Sequence, residues 1–304
     1  MAIPLQLMNL FTEKSTIIIT CHKRITPYLE DEVKQLGFSI DSSFITGISI
    51  TGTITDCIKL NLNLRCASQV LYSLKSFNAD NADNIYNNLV SYPWENILPD
   101  PGYFSITSNV NNPTINNSMF ANLRVKDAIV DRIRDKRGSR PSTGSELTGT
   151  VIHLFWKNED ATIFVDTSGD SLARHGYRKI PGLAPMLEGL AAATIYATRW
   201  DKVSPFINPM CGSGTLAIEA AMIATNRVPG LFRTNYAFMH VQGYDEMVYL
   251  KEDTLLEQQI TDVTELKIIA TDISAKAIEN ARKNAIAAGV EKLIDFEVCE
   301  FAET

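Results

Sequence analysis

Val203-Ser-Pro-Phe-Ile-Asn-Pro-Met-Cys-Gly-Ser-Gly-Thr-Leu-Ala-Ile-Glu-Ala-Ala-Met-Ile-Ala224 is the stretch that decides the fold. A short apolar strand at Phe206-Ile207 runs into a turn with glycines at 212 and 214, and an apolar helix follows. Glycine lets a ligand approach the backbone closely, and the first N–H groups of a helix have no partner inside the helix. The stretch therefore predicts the nucleotide-binding corner of an open α/β sheet, at the carboxyl end of a strand.

A Gly-x-Gly turn alone is compatible with NAD, a flavin, S-adenosylmethionine or no ligand. Ala217 replaces the third glycine of the dinucleotide fingerprint, and no lysine follows Gly214 as in a P-loop. The next apolar run, Leu266–Asp272, ends in a carboxylate that can accept hydrogen bonds from both ribose hydroxyls of an adenosine. The alternative is that Asp272 is a solvated turn residue.

Several stretches resemble one known family. Asn208–Ala221 and Asn226-Arg-Val-Pro-Gly230 resemble motif I and its trailing loop in THUMP-domain RNA methyltransferases. The most similar group is the large-subunit rRNA guanine-N2 methyltransferases, which are often labelled N6-adenine-specific DNA methylases. Val125–Asp131, Asp166–Asp170 and Arg174–Arg178 also resemble the family, in its order, so the resemblance covers nearly the whole chain.

The resemblance implies an α+β N-terminal region, ferredoxin-like plus THUMP, followed by a Rossmann-like α/β methyltransferase domain that is C-terminally incomplete. The β-α-β-β-α pattern from Ile17 to Leu64 agrees with a ferredoxin-like domain at 1–64. We expect a THUMP RNA-binding domain at 65–166 and a partial methyltransferase domain at 167–304.

The resemblance also implies S-adenosylmethionine as the cofactor. The glycine turn would contact its methionine and ribose portions, Asp272 the ribose hydroxyls and Glu300 the adenine amine. Asn208 stands where the family usually has aspartate, and only Glu188 matches the family's Arg/Lys-Glu-Thr. The predicted cofactor-binding residues are Asn208, Pro209, Met210, Cys211, Gly212, Ser213, Gly214, Thr215, Glu188, Asp272, Ile273 and Glu300.

The acceptor motif of the family, Asn/Asp-Pro-Pro-Tyr/Phe, does not occur in this sequence. We therefore expect no catalytic residue here, and a C-terminal half supplied by a longer native chain or in trans. The implied activity is methylation of a guanine exocyclic amine in large-subunit rRNA. The alternatives are a noncatalytic RNA-binding protein or fragment, and an adenine-N6 methyltransferase acting on RNA or DNA. An NAD-dependent oxidoreductase is disfavoured by the altered glycine pattern.

The segment 124–140 carries seven basic residues against three aspartates, and its last stretch, Asp135–Pro141, is the most basic local run of the chain. Its cations either contact RNA phosphates or form charge pairs along a solvated helix. Arg174 and Arg178 either contact RNA or pair with Asp166 and Asp170. The predicted RNA-binding residues are Arg124, Lys126, Lys136, Arg137, Arg140, Arg174 and Arg178.

The composition indicates a cytoplasmic protein. A net charge of −7 argues against a nonspecific coat on nucleic acid. Five separated cysteines without a C-x-x-C suit a reducing compartment and make a zinc site or disulfide framework improbable. Cys211 has a nucleophile interpretation and a packing interpretation, and the packing one is favoured because amine methylation needs no covalent intermediate. No apolar run approaches the roughly 20 residues of a membrane span.

Overall fold

The computed structural model describes residues 9–115, 117–182, 185–263 and 265–304, and within them the strands form two sheets. The strands are β1 (Ser15–Thr20), β2 (Ser42–Phe44), β3 (Gly47–Gly52), β4 (Gln69–Asn78), β5 (Tyr103–Asn111), β6 (Ser142–Thr143), β7 (Thr150–Lys157), β8 (Asp160–Asp166), β9 (Phe206–Asn208), β10 (Ile268–Asp272) and β11 (Ile294–Val298). The helices are α1 (Thr26–Gln35), α2 (Ile54–Asn63), α3 (Ala82–Leu89), α4 (Ser118–Arg137), α5 (Glu188–Thr198), α6 (Thr215–Ala224), α7 (Glu246–Gln258) and α8 (Ala275–Ala287).

The N-terminal strands form one sheet in the order β2-β3-β1-β4-β8-β7-β5-β6. Strand β4 is antiparallel to β1 on one side and to β8 on the other; Leu71 lies opposite both Ile18 and Asp166. The portions expected to be ferredoxin-like and THUMP are therefore continuous through backbone hydrogen bonds. The expected boundary between residues 64 and 65 falls shortly before this shared strand, and it stays a prediction.

Local signals in the sequence account for the first of these elements. In β1 the side chains of Ile17 and Ile19 are fully buried, as alternation along a strand requires. Helix α2 begins at a capping box: the Thr53 hydroxyl accepts from the Asp56 N–H, and the Asp56 carboxylate accepts from the Thr53 N–H. Such a cap is worth about 1 kcal/mol of helix stability.

Two elements differ from the sequence-based expectation. The β-α-β-β-α pattern of the sequence includes a predicted strand at Ser39–Ile45, but the observed strand covers only Ser42–Phe44. All three of its residues are exposed, so no buried face extends it. Helix α7 has no counterpart in the expectation because its apolar pattern is weak. Leu256 is its one fully buried residue, whereas Met247 and Leu250 are exposed.

The second sheet is parallel and has the order β11-β10-β9. Small buried residues on α6 and α8, such as Ala217 and Ala281, allow these helices to lie close to the sheet and to each other. Asn208 ends β9 and Asp272 ends β10, so both lie at the carboxyl edge where open α/β sheets bind ligands. In the ranges that the structure describes, no helix has the length and apolar character needed to cross a membrane.

Candidate functional site

The turn between β9 and α6 is held by backbone hydrogen bonds. The Cys211 N–H donates to the Thr271 carbonyl at 2.8 Å, and the Gly214 N–H donates to the Cys211 carbonyl at 2.9 Å. Met210, Gly212 and Gly214 all have positive φ, of 55°, 58° and 82°. This backbone path starts α6 directly beside the carboxyl ends of β9 and β10, where its first N–H groups can meet a ligand.

The two glycines of the turn serve different purposes. A Cβ at Gly214 would lie 2.9 Å from the Cβ of Ala281, so this glycine allows α8 to pack against the turn. A Cβ at Gly212 would meet nothing within 4 Å. The backbone at Gly212 is therefore open to the approach of a ligand.

Asp272 faces the glycine turn. Its Oδ2 accepts the Gly212 N–H at 2.9 Å, and its Oδ1 accepts the Ser274 N–H at 2.9 Å. Each oxygen of a carboxylate has a further lone pair, so both can still accept a hydrogen bond from a bound molecule. This contact joins residues 60 positions apart and places an acceptor pair beside the open backbone of the turn.

Asn208, at the end of β9, has a buried acceptor atom without a partner in the part of the chain that the structure describes. Its side chain is buried, and its Oδ1 atom has no hydrogen-bond partner among the described residues. A buried carbonyl without a partner costs free energy unless a donor reaches it. The site therefore suits a ligand that carries an N–H or O–H donor.

Arg178 joins Glu188 to the start of α6. Its Nε lies 3.4 Å from Glu188 Oε1, and its Nη2 donates to Thr215 Oγ1 at 3.0 Å. The Arg178 side chain is only 11% exposed. This geometry does not fit the predicted RNA contact, nor the alternative pairing with Asp166 or Asp170, because the guanidinium is directed at the supports of the turn.

The remaining predicted cofactor residues lie around this edge. Met210 and Ile273 are exposed next to the turn and to Asp272. Glu300 follows β11 and accepts the Glu303 N–H in a capping box of its own short turn. Glu300 is thus at the end of the neighbouring strand, and its predicted role toward adenine stays a prediction.

Cys211 is a packing residue of the turn. Its side chain is buried, and burial, together with the charge of Asp272, raises the pKa of its thiol to about 12. A thiol with that pKa is protonated and is a poor nucleophile. This favours the packing interpretation.

The sequence analysis did not predict a role for Asn284 of α8, although this residue supports the site. It is fully buried, and its Oδ1 accepts the N–H groups of Lys179 and Ile180 at 3.0 and 2.9 Å. Its Nδ2 donates to the carbonyls of Ile180 at 2.9 Å and Ser213 at 3.2 Å. The amide thus fastens the segment at 179–180 to the glycine turn. An asparagine among the apolar positions Ile278, Ala281 and Ala285 was the available signal.

A buried polar group behind α6 was also missed. His175 Nδ1 lies 2.8 Å from Glu219 Oε1, and His175 Nε2 lies 2.9 Å from the Arg65 carbonyl. Burial disfavours the charged imidazole, but the Glu219 carboxylate outweighs it and the pKa of His175 is raised. Within the described residues, no three His, Cys, Asp or Glu side chains are grouped so as to hold a metal ion.

The cations of α4 divide into paired and available groups. Arg124 lies 2.8 Å from Asp83 and stacks over the Tyr86 ring at 4.6 Å, and Arg134 lies 2.9 Å from Asp131. Lys136 lies 3.6 Å from Asp135 at an exposed position. Arg124 and Arg134 therefore have the charge-pair role that was the alternative to RNA contact.

Arg137 has a structural role, since its guanidinium donates to the carbonyls of Glu95, Leu98 and Pro99 at 2.8, 2.6 and 3.0 Å. This arrangement does not fit its predicted phosphate contact. The side chains of Lys126, Arg140 and Arg174 have no hydrogen bond or ion pair with another described residue. Those three, with exposed Lys136, are the predicted RNA contacts that the structure leaves accessible.

Three family models match the chain. They are the RlmL ferredoxin-like domain at residues 16–71, the THUMP domain at residues 79–166 and the RMKL-like methyltransferase domain at residues 175–303. The first two matches fall on the part of the chain that forms the eight-stranded sheet, and the third falls on the part that forms the three-stranded sheet.

Named relatives agree with these matches. Ribosomal RNA large subunit methyltransferase K/L from Syntrophotalea carbinolica is 37% identical over 293 residues, which are 93% of this chain and 41% of that protein. A possible methylase from Clostridium difficile 630 is 30% identical with a TM-score of 0.84, over 95% of this chain and 76% of that one. SMU.472, described as a methyltransferase complexed with SAH, is 27% identical with a TM-score of 0.86, over 96% and 77% of the two chains. The chain spans about 40% of the length of the curated relatives it matches.

Proposed function

The chain belongs to the THUMP-domain methyltransferase family that begins with an RlmL ferredoxin-like domain, and on this premise we propose that it binds S-adenosylmethionine and RNA. It would do so as part of an enzyme that methylates the exocyclic amine of a guanine in large-subunit rRNA. The observation that carries the proposal is the hydrogen bond from the Gly212 N–H to Asp272 Oδ2, which sets the carboxylate against the open turn.

The residues at this edge fit S-adenosylmethionine, which supplies a methyl group on a positively charged sulfur. Asp272 retains lone pairs for the two ribose hydroxyls. The unpaired Oδ1 of Asn208 can accept from the ammonium of the methionine portion. The open backbone at Gly212 leaves room for the ligand beside the turn.

The protein's contribution to methyl transfer is mainly positioning, because the leaving group is already activated. The Arg178–Glu188 pair and the Asn284 amide hold the turn from behind. Asn208 offers a hydrogen bond without the negative charge that the usual aspartate would add. We therefore expect a weaker hold on the cationic cofactor than an aspartate would give.

RNA is favoured over DNA as the substrate by two matches: the THUMP domain, and a relative named for the large ribosomal subunit. Guanine is the proposed base from the resemblance at motif I, and adenine is the competing outcome. We expect the native protein to form N2-methylguanosine in undermodified large-subunit rRNA. Nucleoside analysis distinguishes this product from N6-methyladenosine, which would overturn the choice of base.

Calorimetry with S-adenosylmethionine tests the cofactor site on the chain itself. We expect the wild-type chain to bind and Asp272→Asn to bind about 10-fold or more weakly, because a hydrogen bond to a charged group is lost. Asp295→Asn, an exposed carboxylate on β11, is the matched control and should bind like the wild type. No binding by the wild type at high micromolar concentration would instead support a noncatalytic RNA-binding protein.

A further inference from the structure

A cleft of about 680 Å³ opens on the face of the N-terminal sheet that is opposite its main core. In β1 the side chains of Ile17 and Ile19 pack into the core. Ile18 and Thr20 alternate with them along the strand, so they lie on the opposite face and line the cleft. The rest of the lining comes from β4, β8, β7 and β5, with one wall from the β2–β3 hairpin. The cleft is far along the chain from the glycine turn and shares no lining residue with it.

Four of the residues that line this cleft carry aromatic rings. Phe44 and Phe155 are 40% and 41% exposed and line two sides of it. Phe164 and His153 also line the cleft, and their ring centroids are 6.4 Å apart. Burial lowers the pKa of His153 to about 4, so its imidazole is neutral at physiological pH. The cleft therefore offers flat, uncharged ring faces.

Polar groups without partners also point into the cleft. The hydroxyl of Thr20 is buried and has no hydrogen bond among the described residues. His153 uses Nδ1 toward the Thr107 hydroxyl at 2.8 Å, which leaves Nε2 without a recorded partner. Gln69 is oriented by donating its Nε2 to Asp166 at 2.7 Å. A suitable occupant has flat apolar faces together with hydrogen-bonding edges, which is the chemistry of a nucleobase.

The charge around the cleft favours a polyanion as the molecule that carries the base. None of the lining residues is acidic, and none is charged at neutral pH. The loop that follows β1 carries His22, Lys23 and Arg24, all exposed, next to the lining residues Thr20 and Cys21. A neutral lining that carries aromatic rings, beside the cations Lys23 and Arg24, is the arrangement that binds single-stranded nucleic acid through stacked bases and neutralised phosphates.

We propose that this cleft binds unpaired nucleotides of the RNA substrate, with a base stacked on Phe155 and the backbone directed toward His22, Lys23 and Arg24. The inference rests on the proposed RNA function, and it names a surface separate from the basic helix α4 and from the cofactor turn. An apolar segment of a protein partner is the competing occupant, and the experiment below distinguishes the two.

The test uses the whole chain and a short single-stranded RNA that contains one 2-aminopurine, whose fluorescence is quenched by stacking. We expect Phe155→Ala to weaken binding about 5- to 100-fold and to abolish the quenching, as removal of one stacking ring does. Phe155→Leu keeps an apolar side chain but removes the ring, so it should weaken RNA binding as much as Phe155→Ala does. Phe155→Tyr keeps a ring and should retain RNA binding. Phe301→Ala, an exposed ring outside both the cleft and α4, is the matched control.

The outcomes separate this inference from the proposed function. Unchanged RNA affinity in Phe155→Ala, or retained affinity in Phe155→Leu, overturns the stacking site and in the second case indicates apolar docking. S-adenosylmethionine binding of the same variants is measured by calorimetry, because the proposed cofactor site does not include the cleft. Normal cofactor binding with Phe155-independent RNA binding removes only this inference. Absent RNA binding by the wild type removes it together with the RNA part of the proposed function.

Discussion

His175 Nδ1 lies 2.8 Å from Glu219 Oε1, and both side chains are fully buried. Glu219 is on α6, the helix that the glycine turn starts, and His175 also contacts the carbonyl of Arg65 beyond α2. The pair thus connects the helix of the cofactor site to the N-terminal part of the chain.

We expect Glu219→Gln to lower the free energy of unfolding by about 1–3 kcal/mol at acidic pH, since the buried imidazolium loses its counter-charge. The pKa of His175 is raised in the folded state. Its stabilising contribution is therefore complete below about pH 6.5 and is lost as pH rises through the folded pKa. Thermal unfolding across this range should show a flatter pH profile for the variant than for the wild type.

Glu257→Gln, an exposed carboxylate on α7, is the control for that measurement and should keep the wild-type profile. Parallel profiles for Glu219→Gln and the wild type would show that the pair is not the source of the pH dependence.

The two glycines of the turn should separate stability from ligand binding. Gly214→Ala places a methyl group 2.9 Å from Ala281 at a positive φ, and we expect a loss of about 2–4 kcal/mol in unfolding free energy. Gly212→Ala meets no neighbour and should cost only about 1 kcal/mol of backbone strain. Its methyl group projects where the ligand approaches, so affinity for S-adenosylmethionine should fall more than stability. Chemical denaturation and calorimetry measure the two effects, and equal affinity in Gly212→Ala and wild type would refute the proposed approach path.

Asn284 should prove essential for the shape of the turn. In Asn284→Asp the carboxylate cannot donate to the carbonyls of Ile180 and Ser213, so we expect a loss of about 2–3 kcal/mol in stability and weaker cofactor binding. Asn280→Asp, one turn earlier on α8 and without recorded hydrogen bonds, is the matched control. Melting temperatures measure the stability of both variants, and calorimetry measures their affinity for S-adenosylmethionine. A folded Asn284→Asp variant with wild-type affinity would argue against a supporting role for Asn284.

Arg137 and Arg140 should behave differently although both belong to the basic segment. Arg137→Gln removes the donor of three carbonyls and should lower stability by about 2 kcal/mol. Arg140→Gln should leave stability unchanged, weaken RNA binding and reduce the slope of log affinity against log salt by about 0.7–1, as loss of one phosphate contact does. Fluorescence anisotropy with RNA over a salt series measures this slope. An unchanged slope in Arg140→Gln would remove that residue from the RNA interface.

The meeting of the glycine turn and Asp272 at one edge of the sheet was predictable because its signals are local. The glycine spacing, the apolar strands and an aspartate at a strand end each follow from a few adjacent residues, and parallel strands bring such ends to one edge. The fold class and the family also followed from motifs that lie in order along the chain.

Contacts between distant residues were not predictable. Asn284 meets Ile180 across 104 positions and His175 meets Arg65 across 110, and nothing near either residue indicates its partner. The pairing of Arg178 with Glu188 instead of Asp166 is of the same kind, because charge patterns do not rank partners that are brought close by folding. Helix α7 was missed because its apolar residues do not form one stripe: Met247 and Leu250 are exposed, whereas Leu256 is buried.

Strand β4 has a neighbour on each edge, β1 and β8. Moving one N-terminal module of this chain to another protein would separate β4 from one of its two neighbours. The backbone N–H and C=O groups along that edge of β4 would then lack partners. The two modules are consequently a single unit for engineering, and an exchange that preserves the sheet keeps its eight strands together.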